Sequence, residues 1–168
     1  MPRYRQMIES LYGEVNESEN AFEPLPEIAH RYAEILIGEN RTEEALTILN
    51  KARWHILVRI RYNPFWGNFI VMRRVVELTY RIIPFDEDEM TLYDLFFFFK
   101  KERSALFLYK DRTYEIASFF DEGRMRVKVG EKNYSSTEDF LLNHQFGGAP
   151  AYVIAYEDEY YLYAKEWD

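Results

Sequence analysis

Residues 105–129, which read ALFLYKDRTYEIASFFDEGRMRVKV, decide the fold class of this chain. Turn residues at 110–112 and 121–123 divide the stretch into segments in which apolar and polar side chains alternate. Alternation with a period of two is typical of strands that bury one face, and turns rich in Asp and Gly join such strands into hairpins. The stretch therefore predicts an antiparallel meander with strands at 105–110, 113–120 and 124–129.

Two further apolar segments, at 151–157 and 160–165, extend the predicted sheet to five strands, mostly antiparallel. Between the meander and these segments, Ser135 and Glu138 have the spacing of a capping box, which predicts one short helix. The C-terminal half of the chain is therefore predicted to be a small sheet with a single helical insertion.

The chain before the meander shows helical spacing instead. Apolar residues recur at i, i+3 and i+4, with Thr42 and Asn63 as candidate N-caps. The predicted helices are 4–14, 25–37, 42–56, 63–84 and 91–101, and a polar, acidic loop is predicted at 13–23. The predicted fold class is α+β, with a helical hairpin or bundle in residues 1–84 and a small α+β subdomain in residues 85–168.

Six residues of the second and third predicted helices stand at the spacing of the packing positions of a known helical repeat. They are Tyr32, Ala33, Leu36, Ala45, Leu49 and Ala52. On these residues, segment 25–56 resembles a single tetratricopeptide-type helical hairpin. The resemblance implies two antiparallel helices in close contact. Small residues serve any closely packed helical hairpin, so a hairpin outside that family fits the same pattern.

Several short motifs in the second half of the chain occur in a recognisable order. They are Thr91-Leu92-Tyr93-Asp94-Leu95, Tyr109-Lys110-Asp111 with Tyr114, Asp121-Glu122-Gly123-Arg124-Met125 and Tyr134-Ser135-Ser136. In these motifs, residues 91–150 resemble the small α+β domain associated with restriction-system adenine methylases. The resemblance implies a reader of DNA or of modified bases, with the turn at 134–136 near the contact surface.

Positive charge is concentrated in residues 51–81, which carry a net charge of +6 in a chain of net charge −8, so the rest of the chain sums to −14. Aromatic residues interleave with the arginines of this segment, and that mixture can bind phosphates and stack on bases. A second basic row alternates with apolar residues along the strand 124–129. The candidate nucleic-acid-binding residues are Arg53, Arg59, Arg61, Arg73, Arg74, Arg124, Arg126 and Lys128.

Both basic features have a structural interpretation as well. Residues 9–30 contain six glutamates and neither Lys nor Arg, so the basic helices can pair with this acidic stretch inside the same molecule. The row on strand 124–129 is also the pattern of a solvent-exposed face in an antiparallel sheet.

Residues 96–99 are all phenylalanine, so one buried face of the predicted helix 91–101 cannot contain all of its aromatic side chains. One face of this helix can enter the core, which leaves Tyr93, Phe97 and Phe98 on the other side. These three side chains are the candidate residues for binding a protein partner or a second copy of the chain. Packing against the N-terminal helices is the alternative.

Support for catalysis is poor. The chain has no cysteine, which excludes disulfides, thiolate catalysis and cysteine-bound metals. His30, His55 and His144 lie on separate predicted elements, and Glu34, four positions after His30, is a weak metal signal. The sequence contains no nucleophile elbow and no phosphate-binding glycine loop. We therefore expect no catalytic residue, no metal and no cofactor.

The N-terminal residues lack the apolar core of a secretory signal, and no apolar run approaches the length of a membrane span. We therefore expect a cytoplasmic protein that does not associate with a membrane. The predicted function is non-catalytic binding of another macromolecule, in the first place as a protein-binding adaptor that uses the helical hairpin and exposed aromatics. A nucleic-acid-binding module is one alternative, and an enzyme whose site only the fold assembles is another.

Overall fold

A computed structural model of the chain describes residues 25–157 and 159–166. The chain divides into two compact units, here named the helical unit, which ends at Pro84, and the α+β unit, which begins at Phe85. A helical part followed by a five-stranded antiparallel sheet confirms the predicted α+β fold class.

The helical unit contains three α-helices in its described part. They are α1 (Leu25–Gly38), α2 (Thr42–Tyr62) and α3 (Trp66–Ile82). α1 packs against α2, and α2 packs against α3. Ala29 and Ala33 of α1 share a buried cluster with Ala45 and Ala52 of α2, and their small side chains let the two helix backbones approach closely. The helical hairpin predicted at 25–56 is therefore present, and its second helix is longer than predicted.

Asn63 has a different role from the predicted one. It ends α2, since its backbone N–H donates to the carbonyl oxygen of Arg59 at 2.8 Å. The N-cap of α3 is Phe65, in an extended conformation, and the Asn68 side chain donates from Nδ2 to the carbonyl oxygen of Asn63 at 2.9 Å. The prediction that Asn63 begins α3 is wrong because the last turn of α2 already uses its backbone.

Thr42 is likewise the first residue of α2 and not its N-cap. Arg41 holds the cap position without a side-chain cap hydrogen bond, and its guanidinium instead pairs with the Glu44 carboxylate at 2.5 Å. The predicted helix 4–14 and the predicted loop 13–23 lie outside the described residues.

The close packing of α1 and α2 makes Ala33 a sensitive position, because its side chain is fully buried in the alanine-rich cluster. Ala33→Leu replaces a methyl group with an isobutyl group, and such overpacking costs about 1–3 kcal/mol of the free energy of unfolding. We expect a lower midpoint in urea with an unchanged slope. Glu34→Leu changes the next, exposed position of the same helix and should alter the free energy by less than about 0.5 kcal/mol. Equal midpoints for the two variants would contradict this packing.

The α+β unit is built on an antiparallel sheet. Its strands are β1 (Ser104–Tyr109), β2 (Arg112–Asp121), β3 (Arg124–Val129), β4 (Lys132–Tyr134) and β7 (Tyr160–Ala164), and the separate strands β5 (Gln145–Phe146) and β6 (Ala149–Pro150) pair with each other. The helical turns are a 3-10 turn (Leu92–Asp94), α4 (Leu95–Phe98), α5 (Thr137–Asn143) and α6 (Ala151–Ile154). The strand order in the main sheet is β4-β3-β2-β1-β7, and every neighbouring pair is antiparallel.

The predicted meander is present, and its two hairpins turn on two-residue loops. Lys110 and Asp111 have φ of 48° and 62°, and Glu122 and Gly123 have φ of 51° and 76°. Positive φ at both loop positions is typical of turns whose twist matches that of the flanking strands. Such loops fix the register of β1, β2 and β3.

One predicted strand is wrong. Within the segment 151–157, residues 151–154 form the short helix α6, in which Ala151 and Ile154 are buried three positions apart. A short apolar run of this kind fits a strand and a buried helical turn equally well. The fifth strand of the sheet is instead β4, a short and mostly exposed strand without a clear alternation of apolar residues.

The predicted helix 91–101 is also wrong. Thr91 caps a 3-10 turn, in which its side chain accepts from the N–H of Asp94 and the Asp94 side chain accepts from the N–H of Thr91. The single turn α4 follows, and Phe99 already leaves helical geometry with ψ of 21°. Consecutive side chains point in different directions around a regular helix, so four consecutive phenylalanines cannot all be buried on one of its faces. This explains why the helix breaks.

Both outer strands of the main sheet are covered or short. On β7, the backbone N–H of Met90 donates to Leu162 at 3.0 Å, and the N–H of Ala164 donates to Glu87 at 2.8 Å. At the other end, the short strand β4 has α5 packed beside it. This arrangement limits open strand edges, which otherwise invite pairing with other chains.

Candidate interaction surfaces

The predicted partner-binding aromatics do not form an exposed face. Tyr93 is 1% and Phe98 2% exposed, and Phe97 is half-buried. The ring of Phe98 stacks on that of Phe85, and the guanidinium carbon of Arg103 lies 4.1 Å from the Phe98 ring centroid. The prediction of exposure is therefore wrong at Tyr93 and Phe98, because two short turns direct these rings into the core where a regular helix would have left them outside.

Three large exposed aromatics lie at the end of α2 and the start of α3, and a fourth, Trp54, lies two helical turns earlier on α2. Trp54 is 62%, Tyr62 80%, Phe65 55% and Trp66 41% exposed. We name these four side chains the aromatic patch. The Phe65 ring folds back over the first turn of α3, since a Cβ placed on Gly67 would lie 2.5 Å from a carbon of that ring. Glycine at position 67 therefore leaves room for the ring.

The arginines near the aromatic patch are engaged inside the chain. Arg59 Nη1 binds the Glu27 carboxylate at 2.6 Å, and Glu27 belongs to the acidic stretch 9–30. Arg53, Arg61 and Arg73 each have an interaction within the chain as well. Intramolecular pairing, the structural interpretation of the basic segment, therefore accounts for Arg59, and the positive charge of this segment is partly satisfied by the protein itself.

Of the four remaining candidate cations, one is paired within the chain and three are exposed. Arg74 is exposed on α3. On β3, Arg126 pairs with Asp121 through Nε at 3.0 Å, whereas Arg124 and Lys128 are exposed. The predicted alternation on this strand is correct, because Val127 and Val129 are buried on the opposite face.

The α+β unit has a groove of about 800 Å³. It is lined by residues 113–115 of β2 and by residues 130–132, which form the turn between β3 and β4 and the first residue of β4. Ala117, Lys128, Val129 and residues 144–145 also line it. A cavity of this volume is in the range of ligand-binding clefts. Sequence spacing gave no sign of the groove, since it is assembled from four separate segments.

His144 is the buried polar group of this groove, with 6% of its surface exposed. Its Nδ1 lies 2.6 Å from the Tyr134 hydroxyl, and its ring centroid is 4.4 Å from that of Phe146. Burial, together with the nearby Lys132 ammonium, lowers the pKa of His144 to about 4. The imidazole is therefore neutral at pH 7, and its Nδ1 can accept the Tyr134 hydroxyl proton.

The turn at 134–136, predicted near a contact surface, supports this pair. Ser136, one residue after the predicted cap, caps α5 by accepting from the N–H of Asp139 at 3.1 Å. The Asp139 carboxylate in turn accepts from the N–H of Ser135 at 2.8 Å. Burial raises the pKa of Tyr134, and the Asp139 carboxylate acts in the same direction. The Tyr134 hydroxyl therefore keeps its proton.

The other two histidines belong to the helical unit. Burial lowers the pKa of His30, although the Glu34 carboxylate opposes that shift, and burial also lowers the pKa of His55. Within residues 25–157 and 159–166, no group of three or more metal-binding side chains comes together. None of the described helices is long and apolar enough to cross a membrane.

No protein-family model, curated protein or solved structure matches this chain. The resemblances of segments 25–56 and 91–150 therefore stay predictions.

The low pKa of His144 predicts acid sensitivity. Because the folded-state pKa lies below the ordinary value of 6.5, the neutral ring contributes stability above about pH 6.5, and this contribution is lost as the pH falls through that value toward 4. His144→Asn removes the titrating ring and offers an amide oxygen near the position of Nδ1. We expect the variant to lose less free energy of unfolding between pH 7 and pH 4.5 than the wild type, as measured by urea titration. Identical pH profiles would contradict the assignment.

Proposed function

We propose that this protein binds another protein, without catalysing a reaction, through the aromatic patch of the helical unit. The observation that carries the proposal is the exposure of three large aromatic side chains at the junction of α2 and α3, with a fourth two turns earlier on α2. Covering an exposed aromatic side chain stabilises a complex by roughly 1.5–3 kcal/mol before the costs of association are counted. Tryptophan and tyrosine are also the residues most enriched among those that dominate binding energy at protein interfaces.

The arginines support a protein partner over a nucleic acid. Binding of phosphates depends on cations that can exchange their counterions for the nucleic-acid backbone. Near the patch, Arg59 is already bound to Glu27, and Arg53 and Arg61 have interactions inside the chain. The patch therefore offers exposed apolar rings next to cations that are already engaged, which suits a protein surface with apolar side chains at its centre.

The proposal is tested by the double variant Trp54→Ala with Tyr62→Ala. Both side chains are largely exposed, so the free energy of unfolding should change by no more than about 0.5 kcal/mol per site. Chemical crosslinking in extracts of the source cells, followed by quantitative mass spectrometry, should show a reproducible partner of the wild type whose yield falls at least about tenfold in the variant. Analytical ultracentrifugation tests whether that partner is a second copy.

The matched control is Phe120→Ala with Tyr161→Ala, which removes two exposed aromatics of the α+β unit. It should keep the partner yield of the wild type. Equal loss in both double variants, or a wild type that yields no partner and no self-association, would contradict the proposal.

Nucleic-acid binding remains the second candidate, and the exposed Arg124 and Lys128 on one face of β3 favour it. A protein that uses six or more phosphate contacts loses about a thousandfold or more in affinity between roughly 50 and 200 mM salt. Because most of the candidate arginines are engaged, we expect weak binding of labelled single-stranded and duplex oligonucleotides, with a shallow salt dependence in fluorescence anisotropy. Tight binding with a steep slope, removed by Arg124→Glu with Lys128→Glu, would establish the second candidate instead.

A further inference from the structure

The groove of the α+β unit contains a length of β2 that has a strand on only one side. β1 pairs with β2 from Arg112 to Ala117, whereas β3 pairs with it only from Ile116 to Asp121. Beyond the pair of Ile116 with Val129, the chain turns away at 130–131 and returns as β4 on the far side of β3. Among the described strands, none continues beside residues 113–115.

The register shows which backbone groups face this open side. Tyr109 and Arg112 flank a two-residue loop and therefore form a hydrogen-bonded pair, so the backbone groups of Arg112 and Tyr114 point toward β1. Hydrogen-bonding directions alternate along a strand. The N–H and C=O of Thr113 and the N–H of Glu115 consequently point into the groove.

The side chains around residues 113–115 determine which side chains an added strand could place in the groove. Tyr114 faces the buried side of the sheet, where its ring contacts Phe146 at 4.8 Å. Lys132 pairs with Val129, a buried residue, so it lies on the same side of the sheet, near His144. A strand added beside residue 114 would place one side chain between the Tyr114 ring and the Lys132 ammonium.

The charges in the groove favour an acidic side chain at that point. Lys132 lines the groove on this side of the sheet, whereas Lys128 pairs with Ala117 and lines the groove from the other side. Of the two acids that line the groove, Glu115 is bound to Lys165 at 3.2 Å, and Glu131 is exposed. A carboxylate in a partly enclosed groove gains a charge-assisted hydrogen bond from a lysine, which is about twice as strong as a neutral one.

We propose that residues 113–115 of β2 bind an extended peptide segment of a partner protein by strand addition, with an acidic side chain of that segment beside Lys132. The peptide backbone accepts from the N–H groups of Thr113 and Glu115 and donates to the C=O of Thr113. Main-chain hydrogen bonds of this kind supply affinity, while pockets for alternate side chains supply sequence preference. The site lies on the α+β unit and does not depend on the aromatic patch.

The probe is a library of random heptapeptides displayed on phage and selected on the full-length protein. We expect the enriched peptides to contain Asp or Glu flanked by β-branched residues, the composition that suits a strand. The best peptide, labelled with fluorescein, is then measured by anisotropy against the wild type and its variants.

Thr113→Pro removes the N–H that faces the groove, and the pairing with β1 does not use that N–H. Proline is tolerated at such edge positions. We expect affinity for the labelled peptide to fall at least about tenfold, whereas the control Thr113→Val, which keeps the N–H, should change it less than about threefold. Lys132→Gln should weaken binding about fivefold or more, and a peptide with Gln in place of its acid should then lose nothing further.

A second measurement tests the proposal if the Thr113→Pro variant does not fold. Methylating the peptide amide that donates to Thr113 should abolish binding to the wild-type protein. The proposal is overturned if no peptide is enriched, or if the enriched peptides bind Thr113→Pro as tightly as the wild type and tolerate amide methylation. Because the aromatic-patch variants keep this site intact, they should bind the same peptide with wild-type affinity, so the two proposals fail separately.

Discussion

Backbone pairing along β2 is the constraint on which the α+β unit depends. β2 is the longest of the described strands, and it pairs with β1 over its first part and with β3 over its last part. The two-residue loops at each hairpin fix both registers, because their positive φ angles match the twist of the strands that they join. Since the two neighbours are offset, β2 has partners on both sides only at its middle, and the groove opens where β3 has already ended.

The same offset gathers aromatic and titratable side chains at one place. Phe107 of β1 lies at the centre of the ring cluster, with its centroid 4.6 Å from Phe146 and 6.1 Å from Tyr114. His144 joins this cluster as a neutral, hydrogen-bonded ring, because a charged imidazole would lose its solvation among these rings. The part of the groove that His144 lines therefore belongs to the packed core.

The helical unit depends on a different constraint, the close approach of α1 and α2 at their buried alanines. Two helices that pack tightly at small residues direct their larger side chains outward or toward α3. The aromatic patch lies on the second half of α2 and at the start of α3. Arg59 is bound to Glu27, and Arg53 and Arg61 also have interactions inside the chain. Part of the positive charge of residues 51–81 therefore interacts with groups of the protein itself.

The sequence by itself determined the fold class, the helical hairpin and the meander, because periodic burial and turn chemistry are local properties that each segment carries alone. The sequence did not show that residues 151–154 form a helical turn and not a strand. It also did not show that Tyr93 and Phe98 are buried. A short apolar run is compatible with a strand or a helical turn, and its burial depends on neighbours that are distant in sequence. Tertiary structure alone decided that Tyr134 meets His144, which of the basic residues binds Glu27, and that β3 stops before it reaches the start of β2. Each of these depends on residues distant in sequence becoming neighbours, and neither composition nor spacing encodes such proximity.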